Sequence, residues 1–391
     1  MNTSEKRGPS VNILLLNYEY PPVGGGGGYV CHNVAKRLVQ KGHSVTAVTA
    51  TFRHLKAKEE QDGVIVYRVP SLRKKMERTT SFEMLTYVIL CFFFLLMLRF
   101  RRQRFDVAHI HFALPTGLLG PWVRLLFGIE YLLTIHGTDL PGNDKTRFKR
   151  SHEISKPFLV LALGNAAHIS VVTPKLKELA LNVLQRDNIS VLSNGVNTQR
   201  FYLQDRKREN LALFVGRLIP IKSPGFIIAN FPAILKKVPD VKLLIAGHGY
   251  LQEKLEAFVK KRGLQDRVEF IGWVDHNELP ELYSRAKVFF SLQKHDNFGS
   301  LAMLEAMACG LPVVASRVGA TTEQIRDGET GFTISPGNRK EFVEKMVYLL
   351  TKDQERERIS RNAAELVADQ YCWEKIADQY EKVLLGISKK K

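Results

Sequence analysis

Apolar residues along this chain gather in short uninterrupted runs separated by polar, glycine-rich turns, which is the pattern of strands buried on both faces. Val11 to Asn17, Ser44 to Thr49, Val64 to Val69, Asp106 to His111, Tyr131 to Ile135, Ala166 to Val172 and Ile189 to Leu192 predict strands in the first half. A polar, charged run, Gln204 to Asn210, reads as a linker, and the pattern then restarts. Leu211 to Val215, Val241 to Ala246, Val268 to Ile271, Val288 to Leu292 and Pro312 to Ala315 predict strands in the second half, and Gly331-Phe332 begins another. Helical spacing lies between them. Tyr29 to Lys41 places Val30, Val34 and Leu38 on one side, and Ser300 to Cys309 places Leu301, Leu304 and Ala308 on one face before Gly310 stops the helix. Alternation of strand and helix predicts an α/β chain whose glycine-rich turns lie at the carboxyl ends of strands, the edge where open α/β sheets bind ligands.

One apolar run differs. Met84 to Leu98 is fifteen largely apolar residues, about 22 Å as a helix and so short of the roughly 30 Å hydrocarbon core of a bilayer. Its flanks are basic, with Arg73, Lys74, Lys75 and Arg78 before it and Arg99, Arg101, Arg102 and Arg104 after it. That arrangement suits a helix lying in an anionic membrane surface. A helix buried in a Rossmann-like core is the other reading. The charged segment His54 to Asp62 reads as a loop without recognisable chemistry.

Length then sets the domain count, because 391 residues exceed what one hydrophobic core usually organises. The expected division is residues 1–203, residues 204–370 and a last helix within 371–391. A formal charge of +18 favours an anionic partner, whether nucleotide, nucleic acid or acidic lipid. The four cysteines have neither C-x-x-C spacing nor a histidine cluster, so the expectation is a reducing compartment, with no disulfide framework and no metal site. The polar N-terminal residues carry no secretory pattern.

Candidate chemistry sits at the strand ends. The first strand runs into Gly24 to Gly28 and then a helix, a geometry in which backbone N–H groups can approach phosphate. The glycines do not fit a dinucleotide fingerprint. Asp106 to His111 ends in His109 and His111, and Tyr131 to Ile135 ends in His136-Gly137-Thr138-Asp139. At the end of the strand after the linker stand Arg217 and, five residues on, Lys222. Two fixed cations suit a leaving group that gains negative charge. Further on, Asp296-Asn297-Phe298-Gly299-Ser300-Leu301 leads to Glu305-Ala306-Met307-Ala308-Cys309-Gly310-Leu311-Pro312-Val313-Val314, and Glu323 follows on a short helix.

This last stretch resembles the donor-binding signature of the retaining nucleotide-sugar glycosyltransferases of family 4, the glycosyl transferases group 1, which have the GT-B fold. The family usually places two acidic residues eight apart, and here position 297 is Asn with Asp296 one before it. Either Asp296 is the first carboxylate in a shifted register or that carboxylate is missing, and Asp296 is the assignment taken. The family usually has Gly after the Lys of its Arg/Lys pair, where this chain has Ser223. Asn194-Gly195-Val196-Asn197 resembles the family's turn before the hinge.

The resemblance implies two Rossmann-like domains facing a central cleft, with a C-terminal helix crossing back to the first domain. It implies His136, Arg217, Lys222 and Asp296 as catalytic residues, with His136 lining the sugar pocket. The donor side would use Gly26, Gly27, Gly28, Arg217, Lys222, Phe298, Gly299, Ser300, Leu301 and Glu305, the last holding the ribose hydroxyls. The implied reaction moves a hexose from a UDP- or GDP-linked donor to an acceptor hydroxyl with retention, without metal or other cofactor, in cell-surface glycan or glycolipid synthesis. The expected partners are the nucleotide-sugar, a lipid-linked or glycan acceptor and an anionic membrane surface, with no nucleic acid, for a cytoplasmic enzyme peripheral to the inner face of the membrane. A catalytically lapsed binding protein of the same fold and a nucleotide-sugar epimerase are the alternatives.

Overall fold

The computed structural model describes residues 9–74, 79–137, 139–140, 149–294 and 299–388. The chain divides into two compact units, one formed by residues up to Asn194 and again from Trp373, the other by Gly195–Cys372. The first boundary therefore falls at 194, where 203 was expected, and the last helix belongs to the first unit.

In the first unit the strands are β1 (Asn12–Leu16), β2 (Ser44–Ala50), β3 (Lys58–Gln61), β4 (Val64–Val69), β5 (Val107–His111), β6 (Tyr131–Ile135), β7 (His168–Val171) and β8 (Ile189–Val191). They form one sheet in the order β3-β4-β2-β1-β5-β6-β7-β8. All neighbours are parallel except β3 and β4. The central strands are apolar because both faces are covered, and Leu14, Leu15, Leu16, Leu132 and Leu133 are fully buried. β3 is a correction to the loop expected over 54–62. Its Lys-Glu-Glu-Gln sequence has no apolar alternation because it is an exposed edge strand, where charge discourages further pairing.

Helices α1 (Gly26–Gln40), α2 (Ser81–Phe100), α3 (Gly120–Phe127), α4 (Lys149–Asn165) and α5 (Pro174–Val183) connect these strands. α1 starts three residues before the expected Tyr29, so Gly26, Gly27 and Gly28 form its first turn. α2 is longer than the apolar run. It gains Ser81 to Glu83 through a capping box between Thr80 and Glu83, and extends through Arg99 and Phe100. At twenty residues it is long and apolar enough, by length and composition, to cross a membrane, so the argument from a 22 Å helix does not hold. Its inner stripe, Tyr87, Cys91, Leu95 and Leu98, is nevertheless buried, and the Tyr87 hydroxyl donates to the Val48 carbonyl of β2 at 3.1 Å.

The second unit repeats the scheme with β9 (Leu211–Val215), α6 (Pro224–Leu235), β10 (Lys242–Ala246), α7 (Gln252–Lys261), β11 (Val268–Gly272), α8 (Leu279–Arg285), β12 (Val288–Ser291), α9 (Leu301–Ala308), β13 (Val313–Ser316), α10 (Thr321–Gln324), β14 (Phe332–Ile334), α11 (Arg339–Thr351) and α12 (Asp353–Gln370). Its sheet order is β11-β10-β9-β12-β13-β14, all parallel. Apolar cores cover both faces, one around Phe231, Phe290 and Phe342, the other around Leu213, Phe289 and Met307. The polar run 204–210 is tied into this unit. The Arg208 guanidinium donates to the carbonyls of Ala286 at 2.7 Å, Gly310 at 2.8 Å and Cys309 at 3.0 Å.

The last helix, α13 (Trp373–Ile387), buries Trp373, Ile376, Ala377, Tyr380 and Leu384 in the first unit. Ion pairs hold it to the end of α1: Arg37 to Glu374 at 2.9 Å, Lys41 to Asp378 at 2.6 Å and Lys41 to Glu381 at 2.7 Å. In each sheet the strand order reverses at one place, between β1 and β5 in the first and between β9 and β12 in the second. Loops at the carboxyl ends part there, leaving a crevice.

Candidate active site

In the second unit the crevice is bordered by the loop after β9. Gly216 N donates to the Ala246 carbonyl at 3.0 Å, and Leu218 N donates to the His248 carbonyl at 2.9 Å. The two loops lie backbone against backbone: a Cβ on Gly247 would stand 2.1 Å from the Gly216 oxygen, and one on Gly249 would stand 2.2 Å from the Leu218 oxygen. Only glycine permits that approach. It fixes the ledge from which Arg217 projects into solvent.

Lys222 ends a 3-10 turn, Pro220–Lys222, and Ser223 then takes a left-handed backbone with φ of 51° before α6. The family's usual glycine at this place has a direct physical cause, since glycine adopts that region without strain. Lys222 is half-buried. Desolvation and the neighbouring Arg217 guanidinium lower its pKa to about 8. Among the described residues neither Arg217 nor Lys222 forms an ion pair. Beside them Gln293 is buried, its N–H donating to the Ser316 hydroxyl oxygen at 2.9 Å. Its side-chain amide nitrogen has no hydrogen-bond partner among the described residues. It lines a small cavity of about 50 Å³ with Ser223, Lys294 and Ser316.

On the β12 side Gly299 has a φ of 93°, and Ser300 caps α9, its hydroxyl accepting from Met303 N at 3.4 Å. Leu301 is the first helical residue. Glu305 is buried one turn further, and both its oxygens are engaged: His276 Nε2 lies 2.8 Å from Oε1, and the Tyr283 hydroxyl donates to Oε2 at 3.2 Å. The carboxylate thus faces an imidazole and a phenol as well as any ligand. Sequence reasoning missed His276 and Tyr283, which come from the loop after β11 and from α8, and their spacing carries no motif. Burial, then the Glu305 carboxylate, push the Tyr283 hydroxyl well above its ordinary pKa, so it stays a donor. Glu323 stands exposed on α10. Asp296, Asn297 and Phe298 lie outside the described residues.

In the first unit Gly26, Gly27 and Gly28 present first-turn N–H groups, which lack helical acceptors. Gly27 lies against Phe112: a Cβ there would stand 2.4 Å from its ring. The Glu19 carboxylate already accepts from Gly25 N at 3.0 Å, so part of this helix start is satisfied from within. His136 follows β6, its Nε2 2.9 Å from Nδ1 of His111 at the end of β5. His109, inside β5, is tied instead to the Thr134 hydroxyl at 2.8 Å. Burial drops His136 and His109 to about 3, and burial followed by the neighbouring His109 and His136 holds His111 well below its ordinary value. All three imidazoles are therefore neutral at ordinary pH, each with one N–H for hydrogen bonding, and His136 can orient a substrate but is no imidazolium acid. Sequence pattern assigns no role to Asp139. In the structure its carboxylate accepts from Ala113 N at 2.6 Å and from Gly137 N at 2.8 Å, joining the loops after β5 and β6. Burial lifts its pKa to about 6 in spite of those bonds.

Two family models match the chain. Residues 24–200 match Glycosyltransferase Family 4, and residues 195–366 match Glycosyl transferases group 1. An uncharacterized glycosyltransferase of Methanocaldococcus jannaschii, MJ1607, is 28% identical over 386 residues, covering 94% of this chain and 96% of the relative. Among solved structures, sucrose-phosphate synthase from Thermosynechococcus elongatus superposes with a TM-score of 0.80 at 22% identity, covering 96% of this chain and 98% of that one. Anabaena HepE in complex with UDP superposes with a TM-score of 0.77 at 17% identity, covering 96% and 100%. The two matched segments together run from residue 24 to residue 366, and the chain belongs to the group 1 glycosyltransferases, with the GT-B fold.

Proposed function

We propose that this glycosyltransferase moves a hexose from a UDP- or GDP-linked donor to an acceptor hydroxyl on a lipid-linked or glycan substrate, with retention and without a metal. The observation that carries this reading is the pair Arg217 and Lys222, two cations without an ion-pair partner among the described residues, set at the carboxyl edge where the second sheet reverses its order. A nucleotide diphosphate is an anion of the right kind for that place. As the sugar leaves, negative charge grows on the diphosphate, and donors already aimed at it lower the barrier more than they stabilise the bound substrate. The UDP held by HepE, which shares the fold, supports a uridine nucleotide.

Glu305, held by His276 and Tyr283, would take the ribose hydroxyls. Gly299, Ser300 and Leu301, with Asp296 and Phe298, would position the donor sugar and phosphate. His136 would orient the sugar. In a front-face attack the departing phosphate accepts the acceptor's proton, so the step requires no side-chain base. The buried, reduced cysteines suit a cytoplasmic enzyme.

The test is release of UDP or GDP from a panel of sugar nucleotides, first with wild type and then with Arg217→Ala. Losing one donor aimed at developing charge costs about 3 kcal/mol, so kcat should fall about a hundredfold with the circular dichroism unchanged. A folded Arg217→Ala with full turnover would show that the diphosphate lies elsewhere.

A further inference from the structure

α2 presents two unlike sides. Its buried stripe faces the first sheet, whereas Phe82, Leu85, Ile89 and Phe93 are 64%, 52%, 47% and 60% exposed. On α3, Trp122 and Leu125 continue the same surface at 46% and 72%, and Phe92 meets Trp122 edge-on with ring centroids 4.9 Å apart. Isolated apolar residues on a surface need no account, but a joined set of aromatic and aliphatic side chains across two helices marks a contact surface.

Where α2 and α3 end, an open pocket of about 760 Å³ is lined by Arg99, Arg102 and Arg104 together with Phe105, Leu125 and Phe127. Arg99 Nε donates to the Leu126 carbonyl at 2.9 Å, which ties its guanidinium to α3 at the pocket wall. Arg101, Arg102 and Arg104 are exposed, and their side chains have no hydrogen-bond or ion-pair partner among the described residues. The acid in the lining, Asp106, is occupied by Asn12 N at 2.7 Å. Phe105 and Ile129 precede β5 and β6, so the pocket lies at the amino edge of the sheet, a strand's length, about 17 Å, from the carboxyl edge that carries His111 and His136.

We propose that the outer face of α2 and α3 docks on an anionic phospholipid surface, with the phosphate of one headgroup seated in the arginine pocket. An apolar face bordered at one end by cations fits a bilayer, whose acyl boundary takes the rings while the anionic headgroups take the guanidinium groups. It does not fit a membrane span, because crossing would strip Tyr87, Cys91, Leu95 and Leu98 from the sheet. Among their exposed residues α2 and α3 carry no carboxylate to repel such a surface. This docking stands apart from the catalytic reading and is measured without turnover.

The experiment is sedimentation of the whole 391-residue chain with phosphatidylcholine vesicles and with vesicles made anionic by about 30% phosphatidylglycerol, at low and high salt. Wild type should pellet with the anionic vesicles at low salt and be released as salt screens the cations. Each cation near such a surface is worth about fivefold, so Arg101→Gln, Arg102→Gln and Arg104→Gln together should weaken partition about a hundredfold. Phe93→Ser with Leu125→Ser should abolish it through the other half of the surface. Inorganic phosphate at millimolar concentration should not compete; full competition would mean that the pocket takes free phosphate and would overturn the lipid assignment. Wild type that stays soluble with anionic vesicles, or variants that bind as wild type does, would also overturn it, as would self-association through this face without vesicle binding. Lys222→Ala should bind vesicles normally, which separates this result from any failure of the transferase reading.

Discussion

Lys222 offers a sharp test of the diphosphate site because its charge is costly before a ligand arrives. Desolvation and Arg217 hold its pKa at about 8 against an ordinary 10.5; that shift corresponds to about 3 kcal/mol of penalty on the charged form. The sign follows directly. With the folded value below the unfolded one, the charged lysine opposes folding below about pH 8, and the penalty fades as pH rises from about 8 toward 10.5. A bound diphosphate cancels the penalty and returns the pKa to at least its ordinary value. The unliganded lysine is then about 90% protonated at pH 7 and about 10% protonated at pH 9, so UDP affinity should weaken about tenfold between them. At pH 9 binding should take up about 0.9 proton. Isothermal titration calorimetry in buffers of different ionisation enthalpy measures both quantities. Lys222→Arg, charged throughout, should bind with a flat profile. Constant affinity from pH 7 to pH 9 with no proton uptake in the wild type would refute the reasoning, and so would an unchanged slope in Lys222→Arg.

Two further expectations concern the same edge. If Asp296 is the displaced first carboxylate of the motif, Asp296→Asn should depress turnover far more than Asn297→Ala, because only the former removes a charge; equal, mild losses in kcat would mean that the site works without it. Ser223 holds a left-handed backbone, with φ of 51°, and its side chain makes no capping hydrogen bond. Ser223→Gly should therefore be more stable than Ser223→Ala by about 1 kcal/mol. Denaturant unfolding measures the difference, and equal stability would mean that this conformation is not held.

How much of this was readable without coordinates depends on whether the information is local. Burial of strands on both faces writes apolar runs into the chain, so β1, β4, β6 and β9 are legible within a residue or so. Glycine clusters mark the ligand edge for the same reason, because close backbone approach is a local steric demand, as Gly247 and Gly249 show. Ser223 is an instructive departure: the sequence shows only a missing glycine, and the backbone angle explains what the glycine is for. β3 was not legible, since an exposed edge strand has no apolar period to detect.

What only the tertiary structure decided are meetings between residues far apart in the chain. His276 and Tyr283 reach Glu305 across 29 and 22 positions, and Asp139 bridges back to Ala113. None of these pairs leaves a periodic trace, because their contacts are set by where strands part in the sheet and not by spacing along it. The same holds for α2. Composition determined that it is apolar and flanked by arginine, but the sheet selected which stripe is buried and left Phe82, Leu85, Ile89 and Phe93 outside. Side-chain chemistry is written residue by residue, whereas the face a helix turns outward is settled by the element that covers its other side.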